Sequence, residues 1–305
     1  MIRSATPADL PAIRRLLQES RQRFLTCGLE DLPDLLGSAM TAVGTLPGEA
    51  DSLWGFLAFE TPSPKVVPGS LQDGTLRAAA LAPQIPPDAA PEQLLAHILA
   101  ARQSTGPLFQ LTALTADEWL VYLLTAQGFA VADHLGLYQR TRRSLPTVAI
   151  ASAHLRPLAL DEIPRLIALD SHTFPPLWRM SEADISELCF TCRVQAAEVD
   201  GQLAGYAAIA LHPDPDGDDE NEAQLTRLAV HPAFQGRGIG RQLALDSIAY
   251  AHANRCYRVL LNTPESNRAA QRLYTSLHFR RHGGLMPVLV YAPSASPAGV
   301  DIPGG

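Results

Sequence analysis

Gln235-Gly236-Arg237-Gly238-Ile239-Gly240 is the stretch that decides the fold. Residues 225–230, which precede it, alternate between apolar and other side chains and predict a strand, and residues 241–252, which follow it, predict a helix. Three glycines in so short a turn let backbone N–H groups converge on one point, and a helix start adds about half a positive charge. The segment therefore predicts a cradle for an anion, of which a phosphate is the natural occupant.

Two common phosphate-binding motifs do not fit this turn. The glycines fall at positions 236, 238 and 240, so the spacing G-x-G-x-x-G of a dinucleotide site is absent. No Lys-Ser or Lys-Thr pair follows the glycines, which excludes the P-loop. A third type of phosphate site has to be considered.

From Leu228 to Gly240 the chain resembles the Gln/Arg-x-x-Gly-x-Gly/Ala signature of the GNAT acetyltransferase superfamily. In that superfamily the segment holds the pyrophosphate of acetyl-CoA. The flanking residues that also match the superfamily pattern are Val230-His231-Pro232, Asn267, Ala270, Leu273, Tyr274 and Phe279. The resemblance implies an α/β (α+β) fold, with a mixed, mostly antiparallel central sheet flanked by helices, and acetyl-CoA as co-substrate.

The composition is that of a globular protein with room for two domains. The chain has 305 residues, 47% of them hydrophobic, and a formal net charge of −7. No basic cluster is dense enough to indicate nucleic-acid binding, and Lys65 is the only lysine. The start of the chain turns polar at once and no apolar run is long enough to cross a bilayer, so we expect a cytoplasmic protein without a membrane partner.

An internal repeat organises the chain. The paired segments are Ile2-Arg3 with Leu155-Arg156, Asp9-Leu10-Pro11 with Glu162-Ile163-Pro164, Gly55-Phe56 with Gly205-Tyr206, and Gly128-Phe129 with His278-Phe279. Two copies of one domain explain this spacing and predict GNAT-like domains at 1–145 and 146–292. The join near residues 142–147 is short, so we expect the halves to pack as a pseudo-dimer, and the Pro/Gly-rich tail, 293–305, predicts disorder.

The two copies differ where the chemistry would require them to be alike. Residues 83–91 take the place of the glycine turn in the first copy and contain four prolines, which have no N–H to donate, and Asp88, which would repel a phosphate. Leu124 stands where the second copy has Tyr274. We therefore expect the first domain to be a degenerate copy and the second to carry the site.

The resemblance assigns co-substrate contacts in the second copy. The backbone of Leu228, Ala229 and Val230 would bind the pantetheine arm, and the N–H groups of residues 235–240 would bind the phosphates. Arg237 and Arg241 flank this turn, either as phosphate partners or as solvated arginines of a helix start. Asn267 is suited to cap a helix, to contact CoA, or to do both.

Acyl transfer to an amine also needs an acid and a neutral amine. Tyr274 matches the residue that protonates the departing thiolate in the superfamily, although its helical stripe would bury it as a core tyrosine in any case. Many relatives carry a glutamate on the signature strand where this chain has Gln224. Glu222 is the nearest carboxylate on the same face and is our candidate base, unless it only ends an acidic hairpin. His212 and His231 are weaker candidates.

Three other features suggest ligands and are explained more simply. Residues 214–220 are acidic but lack the spacing of an EF-hand, and Cys189-x-x-Cys192 has no second pair to complete a zinc site, so we expect no metal. The four cysteines are expected to be free thiols. Phe174-Pro175-Pro176-Leu177-Trp178 resembles a stretch of the ribosomal-protein alanine acetyltransferases, although aromatic packing beneath a loop would also explain it.

The sequence as a whole indicates an acetyl-CoA-dependent N-acetyltransferase with one site, in its second half. The acceptor would be the primary amine of a small molecule or a peptide, and its identity and the oligomeric state stay open. The tandem arrangement resembles that of mycothiol synthase. The alternative is a sensor or interaction module that binds acyl-CoA without turnover, and thioester cleavage would separate the two.

Overall fold

The computed structural model describes residues 1–46, 49–60, 72–83, 85, 91–103, 109–145, 153–213 and 221–292. The predicted tail, the acidic hairpin at 214–220 and most of the proline-rich segment 83–91 lie outside these ranges. The described residues form two compact units. The N-terminal unit comprises Met1–Asp133 and the described residues from Met286 onward, and the C-terminal unit is His134–Leu285.

The N-terminal unit is a sheet with helices against it. Its strands run in the order β1-β3-β4-β5-β6-β13, and β2 pairs with β5 outside that path. The elements are β1 (Ile2–Arg3), α1 (Leu10–Glu19), β2 (Gln22–Leu25), α2 (Leu32–Ser38), β3 (Ala39–Leu46), β4 (Glu49–Glu60), β5 (Gln72–Leu81), α3 (Pro91–Gln103), β6 (Phe109–Leu114), α4 (Glu118–Ala126) and the end of β13 (Arg280–Tyr291).

The C-terminal unit repeats this plan, with strand order β7-β12-β11-β10-β9-β8. Its elements are β7 (Ala130–Arg140), β8 (His154–Pro157), α5 (Ile163–Thr173), α6 (Glu182–Thr191), β9 (Arg193–Val199), β10 (Gln202–His212), β11 (Glu222–Val230), α7 (Ile239–Ala253), β12 (Arg258–Pro264) and α8 (Arg268–Ser276). The pair β11–β12 is parallel and its counterpart β5–β6 is too, whereas the neighbouring pairs are antiparallel. The predicted fold class, a mixed and mostly antiparallel sheet flanked by helices, is confirmed.

The closing strand of each unit comes from the other half of the sequence. Residues 288–291 of β13 pair with β6 of the N-terminal unit, and residues 135–140 of β7 pair with β12 of the C-terminal unit. The predicted domains, 1–145 and 146–292, follow the repeat along the sequence. In the compact units, by contrast, the first segment of the N-terminal unit ends at Asp133 and the C-terminal unit ends at Leu285.

One ion pair occurs at the same place in both units. Arg3 donates to both carboxylate oxygens of Asp9 at 2.6 and 2.7 Å, and Arg156 donates to both oxygens of Glu162 at 2.6 and 2.8 Å. Each carboxylate also accepts from the backbone N–H three residues before it. These bonds lower the pKa of Asp9 and of Glu162 to about 2. The repeat seen in the sequence is therefore a repeat of contacts as well.

The C-terminal unit buries apolar side chains on both faces of its sheet. One cluster contains α7 and includes Leu243, Ile248 and Tyr274. The other is formed with α5 and α6 and includes Leu166 and Ile185. This arrangement fixes β11, which lies between the clusters, and with it the turn that follows.

Candidate active site

Strand β11 separates from β12 part-way along its length. The parallel pairing runs from Glu222 opposite Arg258 to Leu225 opposite Leu261, and β11 then continues to Val230 while β12 pairs on its other side with β7. Among the described residues no strand pairs with residues 226–230 on that edge. Their outward backbone groups are therefore available to an extended ligand.

A β-bulge lies at the point where the strands separate. Ala208 lies opposite Arg227 and Ile209 opposite Leu225, so Thr226 is the extra residue. Before the bulge Leu225 belongs to the cluster with α7, and after it Leu228 and Val230 do, because the extra residue exchanges the two faces of the strand. Arg227 and Ala229 consequently face α5 and α6.

The glycine turn has the backbone geometry that the sequence predicts. Gly236 and Gly238 have φ values of 76° and 81°, a region that favours glycine, and α7 begins at Ile239 with Gly238 as its N-cap. No side chain caps this helix, and no acidic residue lies in its first turn. The first N–H groups of α7, which have no partners within the helix, are therefore open to an anion.

Three side chains around the turn have defined partners. Gln235 Nε2 donates to the Val230 carbonyl at 3.0 Å, and Arg237 Nη2 donates to the Ala233 carbonyl at 3.2 Å. Arg241 Nη1 donates to Ser276 Oγ at 3.0 Å on α8. An open cavity of about 580 Å³ adjoins this contact, and it is lined by Arg268, Gln271, Arg272, Thr275 and Ser276. Positive charge thus extends from the turn along one face of α8.

Tyr274 lies on α8 in the same hydrophobic cluster as Leu228 and Val230. Its ring packs edge-on against Phe279, with 5.7 Å between centroids, and burial raises its pKa to about 12. The hydroxyl is therefore protonated at neutral pH. Asn267 begins the helix by accepting a hydrogen bond from the N–H of Ala270 at 3.1 Å, so its capping geometry is formed.

The candidate bases are placed less favourably. Glu222 forms an ion pair with Arg258, its cross-strand neighbour, at the end of β11 that precedes the bulge. His212 lies opposite Glu222 on β10 and is exposed. His231 follows β11, and its Nδ1 accepts from the N–H of Ala233 at 3.2 Å. Glu222 is thus already engaged by a cation.

Comparison with known proteins relates this arrangement to a family. Residues 159–279 match the model of the acetyltransferase (GNAT) family. We call this matched segment the GNAT domain. It contains the parallel β11–β12 pair, the glycine turn and Tyr274.

Curated relatives match a part of this chain. The mycothiol acetyltransferase of Thermomonospora curvata is 40% identical over 86 residues, which are 28% of this chain and 27% of that protein. The spermine/spermidine N(1)-acetyltransferase of Bacillus subtilis is 33% identical over 88 residues, or 28% of this chain and 58% of that protein. The chain thus spans under a third of the length of the mycothiol acetyltransferase it matches.

Solved structures resemble nearly the whole chain. A GCN5-related N-acetyltransferase from Sphaerobacter thermophilus has a TM-score of 0.62 at 13% identity and covers 96% of this chain and 95% of its own. A tandem GNAT protein from the clavulanic acid biosynthesis pathway has a TM-score of 0.61 at 14% identity and covers 96% and 98%. At these identities the likeness shows the fold alone, and the predicted fold of two similar α/β domains is confirmed.

The GNAT domain contains a polar network that the sequence interpretation missed. Asp170 on α5 is fully buried and accepts from Arg227 Nε at 2.9 Å, Arg227 Nη2 at 2.8 Å and the Tyr206 hydroxyl at 2.6 Å. Burial, followed by the charge of Asp170, raises the pKa of Tyr206. A signal was present in the repeat, because the corresponding residues of the first copy are Leu17, Phe56 and Ala78.

The N-terminal unit lacks the open edge of the GNAT domain. Its β5 separates from β6 after Thr75 and carries a bulge at Arg77, as β11 does at Thr226. Strand β2, however, pairs with β5 from Leu25 opposite Ala78 to Gln22 opposite Leu81. The backbone edge that corresponds to residues 227–230 is therefore already hydrogen-bonded to the chain itself.

In the described part of the chain, no group of three or more His, Cys, Asp or Glu side chains could hold a metal ion. The four cysteines are free thiols. None of the described helices combines the length and the apolar character that crossing a bilayer requires.

Proposed function

We propose that the protein is an acetyl-CoA-dependent N-acetyltransferase that works by direct attack of a primary amine on the thioester, with one site in the GNAT domain. One observation carries this proposal: the free edge of β11 leads straight into an uncapped helix start, and the protonated Tyr274 belongs to the same cluster as that edge.

The residues fit acetyl-CoA in three places. The backbone of residues 228–230 would pair with the pantetheine arm, much as a neighbouring strand would. The N–H groups of residues 235–240, with the positive end of α7, would hold the pyrophosphate. Arg241, Arg268 and Arg272 would attract the phosphate on the nucleotide, because Arg268 and Arg272 line the cavity on α8 and Arg241 is bonded to Ser276 at its edge.

The chain then has two chemical tasks. As the amine nitrogen bonds to the acetyl carbon and the carbon–sulfur bond breaks, Tyr274 donates its hydroxyl proton to the sulfur. The amine must lose a proton, and Glu222 would accept it through an ordered water once its ion pair with Arg258 loosens. Holding both reactants at the point where β11 leaves β12 supplies the proximity that makes the attack fast.

The relatives support acetyl transfer more strongly than any one acceptor. Their names include mycothiol acetyltransferase, N-acetylaspartate synthetase and spermine/spermidine N(1)-acetyltransferase, which differ in the amine. Each of the three matches about 28% of this chain. We therefore assign a primary amine, on a small molecule or a peptide, as the acceptor class.

The release of free thiol from acetyl-CoA tests this function. We expect release that depends on an added amine when the protein is incubated with a broad panel of diamines, aminosugars, amino acids and peptides. A protein that binds CoA but releases no thiol with any amine would instead be a sensor.

A further inference from the structure

We propose that Asp170, Tyr206 and Arg227 are positioning residues that fasten the α5–α6 loop, residues 174–181, over the point where β11 leaves β12, so that this loop forms a wall of the acceptor site. The role of the loop as an acceptor wall rests on the proposed function. The fastening of the loop rests on its contacts alone.

The loop is held at three points by two side chains. Arg227 Nη2 donates to the carbonyl of Trp178 at 2.7 Å, and the guanidinium carbon lies 3.6 Å from the ring centroid of Phe174. The N–H of Met180 donates to Asp170 Oδ2 at 3.3 Å. Because Asp170 and Arg227 also bind each other through two hydrogen bonds, the loop is tied to helix α5 and strand β11 together.

Arg227 lies at the point where β11 separates from β12, which is the proposed place of the reaction. It is the residue directly after the bulge and two positions beyond Leu225, the last residue of β11 that pairs with β12. Its side chain is 14% exposed and faces α5, so an amine that approaches the thioester from this side of the sheet meets the fastened loop. A stretched or displaced loop would change the shape available to that amine.

The N-terminal unit shows that the fold does not require this network. Ala78 corresponds to Arg227, because Ala58 pairs with Ala78 as Ala208 pairs with Arg227. Phe56 corresponds to Tyr206 on the neighbouring strand. Leu17 is the last buried residue of α1, as Asp170 is the last buried residue of α5. The residues of the N-terminal unit at these places are 0 to 2% exposed and all apolar. Since apolar residues often replace a buried ion pair at no cost in stability, the polar set in the GNAT domain calls for another reason.

The test transplants the apolar set into the GNAT domain as Asp170→Leu/Tyr206→Phe/Arg227→Ala, with Tyr206→Phe alone as a milder variant. We expect the KM for the amine to rise by at least about tenfold, while the Kd for CoA changes by less than about twofold. Arg227→Lys should restore little of the loss, because an ammonium cannot bind Asp170 and Trp178 with the same planar geometry. The control is Arg193→Ala/Asp246→Ala, which removes a 2.6 Å ion pair between β9 and α7 and should leave the KM unchanged.

Amide hydrogen exchange tests whether the three residues fasten the loop, and it does so independently of enzymatic turnover. Amides of residues 174–181 should exchange at least about tenfold faster in the triple variant, with α7 unchanged. Unchanged exchange would overturn the fastening, and faster exchange with an unchanged KM would overturn the acceptor wall. If the wild type transfers acetyl groups to no amine, the proposed function fails and the acceptor wall with it, whereas exchange still decides the fastening.

Discussion

Gln22 of β2 lies opposite Leu81 of β5, and the pairing of these strands closes an edge that the GNAT domain keeps open. In both units the strand that leads to the proposed phosphate turn separates from its parallel neighbour and bulges within the next two residues. Within the described ranges, only the N-terminal unit then fills the separated edge with a strand of its own. A ligand would have to displace four residues of paired backbone to bind there.

This difference predicts one CoA per chain in a calorimetric titration. Gly236→Val should weaken CoA binding by at least about tenfold, because a β-branched residue at a φ of 76° shifts the turn. Gly201→Val is the matched control: Gly201 has a φ of 75° and the same open surroundings, but lies in the β9–β10 turn. A stoichiometry of two would contradict the degenerate first domain, and equal effects of both variants would contradict the cradle.

Tyr274→Phe should lower kcat by about 100-fold and leave the Kd for CoA unchanged, because only the proton donor is lost while the ring still packs on Phe279. The pKa of about 12 also predicts that the wild-type rate shows no decline up to about pH 10 from loss of this proton. Steady-state kinetics over pH 6 to about 10 would check both statements. Tyr250→Phe on α7 is the control, and a Tyr274→Phe enzyme with full kcat would remove Tyr274 as the acid.

The sequence predicts the repeat and the backbone geometry of the glycine turn well, because both depend on local rules. A turn of this kind needs glycines at 236 and 238 because both positions have positive φ. The partners of the Arg156–Glu162 ion pair are only six residues apart in the sequence. The predicted class of sheet followed from the resemblance that these residues carry. The site residues assigned by resemblance, Glu222 above all, stay predictions.

Other features depend on long-range pairing that local patterns do not specify. The sequence interpretation assigned no elements to residues 21–52, where β2, α2 and β3 form, and so it could not anticipate the closed edge of β5. The exchange of β7 and β13 between the halves could not be predicted either, because the alternating pattern of a strand does not specify which strand it pairs with. From the sequence alone, an arginine such as Arg227 on a strand would be expected to face solvent. In the structure it pairs with the buried Asp170 of α5.

Glu222→Gln should lower kcat/KM at neutral pH by about 100-fold, since the amide cannot take the proton of the attacking amine. The deficit should shrink as the pH approaches the pKa of a free primary amine, about 10, because the amine then loses its proton unaided. A pH–rate profile measured with one amine would show this convergence. A variant whose profile overlays that of the wild type would leave the ion pair with Arg258 as the whole role of Glu222.

Arg268→Ser/Arg272→Ser should weaken the binding of CoA by about tenfold but leave the binding of 3′-dephospho-CoA unchanged, because the two arginines line the cavity beside Arg241. Titration of both ligands into both proteins completes the comparison. The control, Arg280→Ser, removes an exposed arginine at the start of β13 and should affect neither ligand. Equal weakening of both ligands would show that the cavity does not recognise this phosphate.

Acid should destabilise the protein through the ion pair that the repeat preserves. Hydrogen bonds from the Arg156 guanidinium and from the N–H of Ala159 lower the pKa of Glu162 from its ordinary 4.5 to about 2. Its contribution to stability is therefore complete above pH 4.5 and is lost as the pH falls towards 2. Glu162→Gln should cost about 1–3 kcal/mol at pH 7 and flatten the decline over that range, as urea unfolding at several pH values would show. Asp9→Asn should cost less, because the side chain of Arg3 is 39% exposed and screened by water. Glu187→Gln, at an exposed position of α6, should change neither quantity, and a Glu162→Gln protein that declines as steeply as the wild type would contradict the assignment.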